Sequence, residues 1–113
     1  MITHLVLLKP LPHLPPSDRQ AFIDAFDRAL REIPGIRAVR IGSRITHGAG
    51  YELAVPDAAD FMAAIDFDDL ADLRAYLAHP VHAELGRLFG TVSGAALIYD
   101  FEVGGRERLS AIG

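Results

Sequence analysis

The chain has 113 residues, enough for one domain that removes roughly two-thirds of its unfolded surface from water. Hydrophobic residues make up 50% and the net charge is −4, which speaks against a nucleic-acid binder, where a basic face is the rule. With no cysteine, disulfide scaffolds, thiolate metal centres and cysteine nucleophiles are excluded, and a reducing cytoplasm is the simplest setting.

Residues 2–8 are mostly Ile, Val and Leu, interrupted by Thr3 and His4 and bounded by Lys9-Pro10, the pattern of a strand covered on both faces. Extended, this strand sets Ile2, His4, Val6 and Leu8 on one face and Thr3, Leu5 and Leu7 on the other. The segment has neither the basic lead nor the long apolar run of a signal peptide. No stretch approaches the roughly eighteen apolar residues of a membrane span, so no membrane partner is expected.

A proline-rich turn (Pro10, Pro12, Pro15, Pro16) leads to Ser17-Asp-Arg-Gln20, which reads as a capping box. Phe22, Phe26, Ala29, Leu30 and Ile33 follow at helical spacing, and Pro34-Gly35 stops the helix. Residues 36–46 alternate as a second strand, with Arg37, Val39, Ile41, Ser43 and Ile45 opposite Ile36, Ala38, Arg40 and Arg44. Its arginines read as solvated or interface groups. Gly48, Gly50, Pro56 and Asp57 make 47–58 a loop with a short extended piece at 51–55. Phe61–Phe67 is the third strand.

Asp68 or Asp69 caps a second helix whose stripe is Leu70, Leu73, Tyr76 and Leu77. The residue before a proline is pushed out of the α region, so His79 marks a break. Pro80 then opens another helical segment carrying His82, Leu85, Leu88 and Phe89. Residues 92–103 form the last strand, and Gly104-Gly105 begins a polar, mobile tail over 104–113.

The order β-α-β-β-α-β is the split βαβ, or ferredoxin-like, arrangement of an α+β protein with an antiparallel four-stranded sheet. Helices on one side leave a second sheet face that is also apolar. That predicts a homodimer joined through the sheets.

Tyr76, His79, Pro80 and His82 concentrate the chemistry. Tyr76 and His82 lie six residues apart, which an uninterrupted helix sets about 120° out of alignment; the break at Pro80 is what brings them together. Histidine supplies a base of near-neutral pKa, and a tyrosine hydroxyl supplies a donor for a developing enolate oxygen. His82 is then the general base and Tyr76 the oxyanion donor or base orienter, with His4 assisting from the sheet. Set against this, Tyr76 also fits a core ring and His4 a satisfied core histidine. His79 fits backbone satisfaction at the helix break, and His13 and His47 a loop surface.

Other chemistries find little footing. His79-x-x-His82 alone is not a zinc site, and Asp66, Asp68, Asp69 and Asp72 gather where a helix N-terminus favours acids anyway. Ser93-Gly94 lacks a nucleophile elbow, and Gly48-x-Gly50 is too short to cradle a phosphate. No cofactor and no metal is therefore expected.

The opening Thr-His-Leu-Val-Leu-Leu-Lys, Asp66-Phe67-Asp68-Asp69, Tyr76-x-x-His79-Pro80-x-His82 and the closing Leu97-Ile98-Tyr99-Asp100-Phe101-Glu102 resemble the stress-responsive dimeric A/B-barrel (Dabb) family over residues 2–103. The resemblance implies a domain over 1–103, two of which join sheets into a shared α+β barrel. One plant relative, olivetolic acid cyclase, condenses a linear polyketide without cofactor or metal in a pocket between sheet and helices. By motif position its groups fall on His4, Tyr76 and His82, while a further pocket histidine falls on Phe61, which transfers no proton. Some relatives hold a cation through backbone oxygens at the place of the Ile33–Val39 turn. The expectations that follow are cofactor-free cyclase or lyase chemistry on a carbonyl or polyketide-like compound, or a non-catalytic stress-responsive or small-ligand-binding protein whose ligand is apolar or aromatic. A monooxygenase acting without metal or flavin on an electron-rich phenol is a third, which no residue singles out.

Overall fold

The computed structural model describes all of residues 1–113. Four strands, β1 (Ile2–Pro10), β2 (Ile36–Ser43), β3 (Phe61–Phe67) and β4 (Ser93–Glu102), and three helices, α1 (Pro16–Glu32), α2 (Leu70–Ala78) and α3 (Pro80–Val92), follow in the order β1-α1-β2-β3-α2-α3-β4. They form one antiparallel sheet in the order β2-β3-β1-β4, the ferredoxin-like α+β arrangement expected from the pattern of elements. No helix is long and apolar enough to cross a membrane.

Register decides which side chains meet the helices. Ile2, His4, Val6 and Leu8 on β1 stand beside Phe67, Ile65, Ala63 and Phe61 on β3, and beside Glu102, Asp100, Ile98 and Ala96 on β4. Paired residues share a face, so this row looks toward the helices. The core beneath them joins Phe22, Ala29 and Ile33 of α1 and its end to Ile65, Phe67, Leu73, Tyr76 and Leu85. The other face presents Leu5, Leu7, Met62, Leu97, Tyr99 and Phe101 by the same pairing. No helix covers them, and Leu97, Tyr99 and Phe101 remain 38%, 50% and 47% exposed.

Local chemistry departs from the sequence reading in several places. The capping box does not form: α1 starts at Pro16, and no side chain caps it. Proline at the first helical position has its φ preset and no N–H to satisfy, so the Pro15 carbonyl receives the amides of Asp18 and Arg19 instead. Gln20 turns along the helix and donates to Asp24 at 2.8 Å. Gly35 ends the connection at φ +93°, a left-handed turn suited to glycine.

Strict alternation fails at the start of β2. Ile36 pairs with Phe67 and Ala38 with Asp66, leaving Arg37 as the extra residue of a bulge. Ile36 therefore shares the helix-side face with Val39 and Ile41 instead of opposing them. β2 also stops at Ser43, three residues short of the expected end.

The expected extended piece at 51–55 is a 3₁₀ turn, Gly50–Leu53. Glu52 folds back on it and accepts the amides of His47 and Gly48 at 2.8 and 3.1 Å. Asp69 is the cap of α2, accepting the Asp72 amide at 2.9 Å. Of the α2 stripe only Leu73 and Tyr76 are buried, while Leu70 and Leu77 stay partly exposed. After β4, the segment expected as a polar tail carries a 3₁₀ turn over Arg106–Ala111.

Candidate functional site

His79 creates the site's geometry. Its backbone is extended (φ −69°, ψ 140°), ending α2 and beginning α3 in one residue. Its Nδ1 accepts the Val81 amide at 3.1 Å, so this histidine serves the helix start, the structural reading given to it from sequence. The change of direction folds α3 back, and the rings of Tyr76 and His82 meet edge-on with centroids 4.8 Å apart. Proline supplies the bend that makes a six-residue spacing into a contact.

Tyr76 is the hub. It is 1% exposed, and its ring packs against Phe67 at 5.3 Å on one side and His4 at 5.9 Å on another. The sheet thus contributes two rings, His4 and Phe67, and α2 and α3 one each, Tyr76 and His82. Burial alone pushes the Tyr76 phenol up to about 12, so it is a neutral donor at any physiological pH. The His82 imidazole is held below its ordinary 6.5, first by burial, then by the nearby His4, with the Leu77 carbonyl acting in the opposite direction. A neutral imidazole beside a neutral phenol is a base beside a hydrogen-bond donor.

His4 is 5% exposed, and its Nδ1 lies 2.6 Å from Asp100 Oδ1 on the neighbouring strand. A carboxylate accepts, so Nδ1–H of His4 donates to it, fixing the orientation of the ring. Asp100 is the functional-looking residue that sequence reasoning missed. The closing Leu97–Glu102 segment was recognised as a strand, but only the β1–β4 register puts residue 100 opposite residue 4.

Beside this cluster lies a cavity of about 570 Å³ beneath α1. Phe22, Phe26 and Leu30 roof it, Val6, Leu8, Phe61 and Ala63 floor it, and Arg19 and Asp27 are its only charged side chains. The family resemblance implies that His4, Tyr76 and His82 belong to a pocket between sheet and helices, but this cavity is not one that they line. His4, Tyr76 and His82 are absent from the cavity wall. Val6, the next residue after His4 on the same strand face, stands between the two. No group of three or more His, Asp or Glu side chains gathers closely enough to hold a metal ion.

A family model described as the Stress responsive A/B Barrel Domain matches residues 2–103. The chain belongs to that family. Among solved structures, an Arabidopsis thaliana protein superimposes with a TM-score of 0.75 at 16% identity, covering 93% of this chain and 97% of that one. A hydroxynitrile lyase from Passiflora edulis gives 0.75 at 13% identity, covering 91% and 93%. A dimeric ferredoxin-like protein of unknown function from Thermobifida fusca gives 0.68 at 22%, covering 90% of each chain. No curated protein sequence matches the chain. At these identities the likeness concerns the fold, and within this Dabb protein the chemistry has to be argued from its own side chains.

Proposed function

We propose that this Dabb protein is a homodimer that performs acid–base chemistry without a cofactor on an apolar carbonyl compound, as a lyase or cyclase. The observation that carries the reading is the contact of Tyr76 with His82 at 4.8 Å beneath the helices. His82, its pKa depressed, takes a proton from a carbon next to the carbonyl or from a hydroxyl on it. Tyr76, still protonated, donates a hydrogen bond to the oxygen on which charge develops. The proton held on His82 is then returned to the departing or newly formed group. His4, fixed by Asp100, steadies the Tyr76 edge from the sheet.

The fold likeness to a hydroxynitrile lyase is in keeping with carbonyl addition or elimination. A polyketide-like substrate, as for olivetolic acid cyclase, belongs to the same chemical class, although Phe61 provides no second base here. Dimerisation is supported by the uncovered apolar sheet face and by structural neighbours described as dimeric.

A second reading has a specific observation behind it. Because the wall of the cavity excludes His4, Tyr76 and His82, the protein also fits a non-catalytic binder of small apolar ligands. Screening aromatic and β-diketone compounds separates the two. A ligand at a hundred times its Kd raises stability by about 2.7 kcal/mol, a clear thermal shift. The enzyme reading expects product from at least one binder, with His82→Gln lowering kcat about 10²- to 10⁴-fold while the thermal shift persists. Binding without turnover supports the binder, unchanged kcat in His82→Gln removes His82 from the mechanism, and no binding at all overturns both.

A further inference from the structure

The two charged groups on the cavity wall are in different states. Asp27 accepts from Arg31 Nε at 2.8 Å, so its charge is matched. Arg19 makes no ion pair; its guanidinium has one long contact, 3.5 Å to the Leu14 carbonyl. Elsewhere Arg28, Arg31, Arg37, Arg44, Arg87 and Arg108 are all paired with acids. Of the arginines left without one, Arg19 alone borders the cavity. It is exposed, so the cation stands at the mouth and not in the interior.

Arg19 also starts the helix face that roofs the hollow, since Phe22, Ile23 and Phe26 follow it at three-, four- and seven-residue steps. Beneath, Val6, Leu8 and Pro10 of β1 line the same cavity, a span of about 13 Å at roughly 3.3 Å per residue. The resulting space is a long apolar slot with one unmatched positive charge at its opening.

We infer that the cavity binds an amphipathic carboxylate, its apolar or aromatic body seated among Phe22, Phe26 and Phe61 and its anionic end held by Arg19. Guanidinium presents paired N–H donors that match a carboxylate in two parallel bonds. This rests on the cavity being the ligand site and adds the charge and orientation of the ligand. With the anion at the mouth, the opposite end of the molecule points toward Val6 and the Tyr76–His82 pair, so a reacting carbonyl belongs at that end.

The test is calorimetric titration of decanoate and 4-phenylbutanoate against their amides, at neutral pH, into wild type, Arg19→Gln and Arg19→Lys. Wild type is expected to favour each carboxylate over its amide by about fivefold, the scale of a rim ion pair. The preference shrinks at high salt, disappears in Arg19→Gln and survives in part in Arg19→Lys. Unchanged amide affinity in Arg19→Gln shows that the cavity is still folded. Equal binding of acid and amide by wild type, or a preference that persists in Arg19→Gln, overturns the carboxylate assignment and leaves the cavity as a ligand site. Failure of both acid and amide to bind overturns the cavity reading itself.

Discussion

At the residue scale, His82 and Tyr76 are matched by environment more than by sequence neighbourhood. Burial acts on both, but in opposite chemical senses: it removes the proton from an imidazole and keeps it on a phenol. The consequence for pH has a definite sign. His82 is neutral above its depressed pKa, so turnover on a substrate identified by screening holds through neutrality. It falls only where the pH drops below the ordinary 6.5, and a pH–rate profile of kcat/KM measures where. An acid limb centred above 6.5 would contradict the role given to His82. The same depressed pKa disfavours the folded chain on acidification, because the unfolded histidine gains its proton first.

At the element scale, much was legible because periodicity reports directly on burial. The strand at β1, the stripe of α1 and the break at Pro80 follow from residue spacing, and the structure has all three. The misses trace to particular residues. Pro16, with its preset φ and absent N–H, displaced the Ser17 cap, a local competition that the capping pattern ignores. Arg37 became the extra residue of a bulge, which no alternation pattern announces. Asp100 acquired its partner only through strand register, a long-range choice set by pairing over 96 positions of sequence. The outer face of β4 yields a prediction of its own: Leu97, Tyr99 and Phe101 form the uncovered apolar row that sheet pairing would bury. Light scattering should give twice the 12.3 kDa chain mass for wild type. Replacing Tyr99 and Phe101 by Lys should move it to the monomer while the far-ultraviolet circular dichroism stays unchanged. A monomeric wild type would remove the dimer.

At the scale of the whole molecule, one sheet and one helical layer make a slab of 46 × 39 × 17 Å, thin because nothing covers the outer sheet face. Between its layers lie two regions that one strand links in sequence: the cavity reaching inward to Val6, and the His4–Tyr76–His82 cluster immediately beyond. We propose that the two act as one site, entered at Arg19 and reactive at His82. That is the claim to test first, and a crystal structure with a carbonyl-bearing ligand from the screen tests it most directly. The ligand's carbonyl oxygen is predicted to lie within hydrogen-bond reach of the Tyr76 hydroxyl, about 2.6–3.2 Å, with Val6 displaced and His82 facing the adjacent carbon. A ligand that fills the space beneath α1 yet stops short of Val6, leaving the three rings packed as they are, would contradict it.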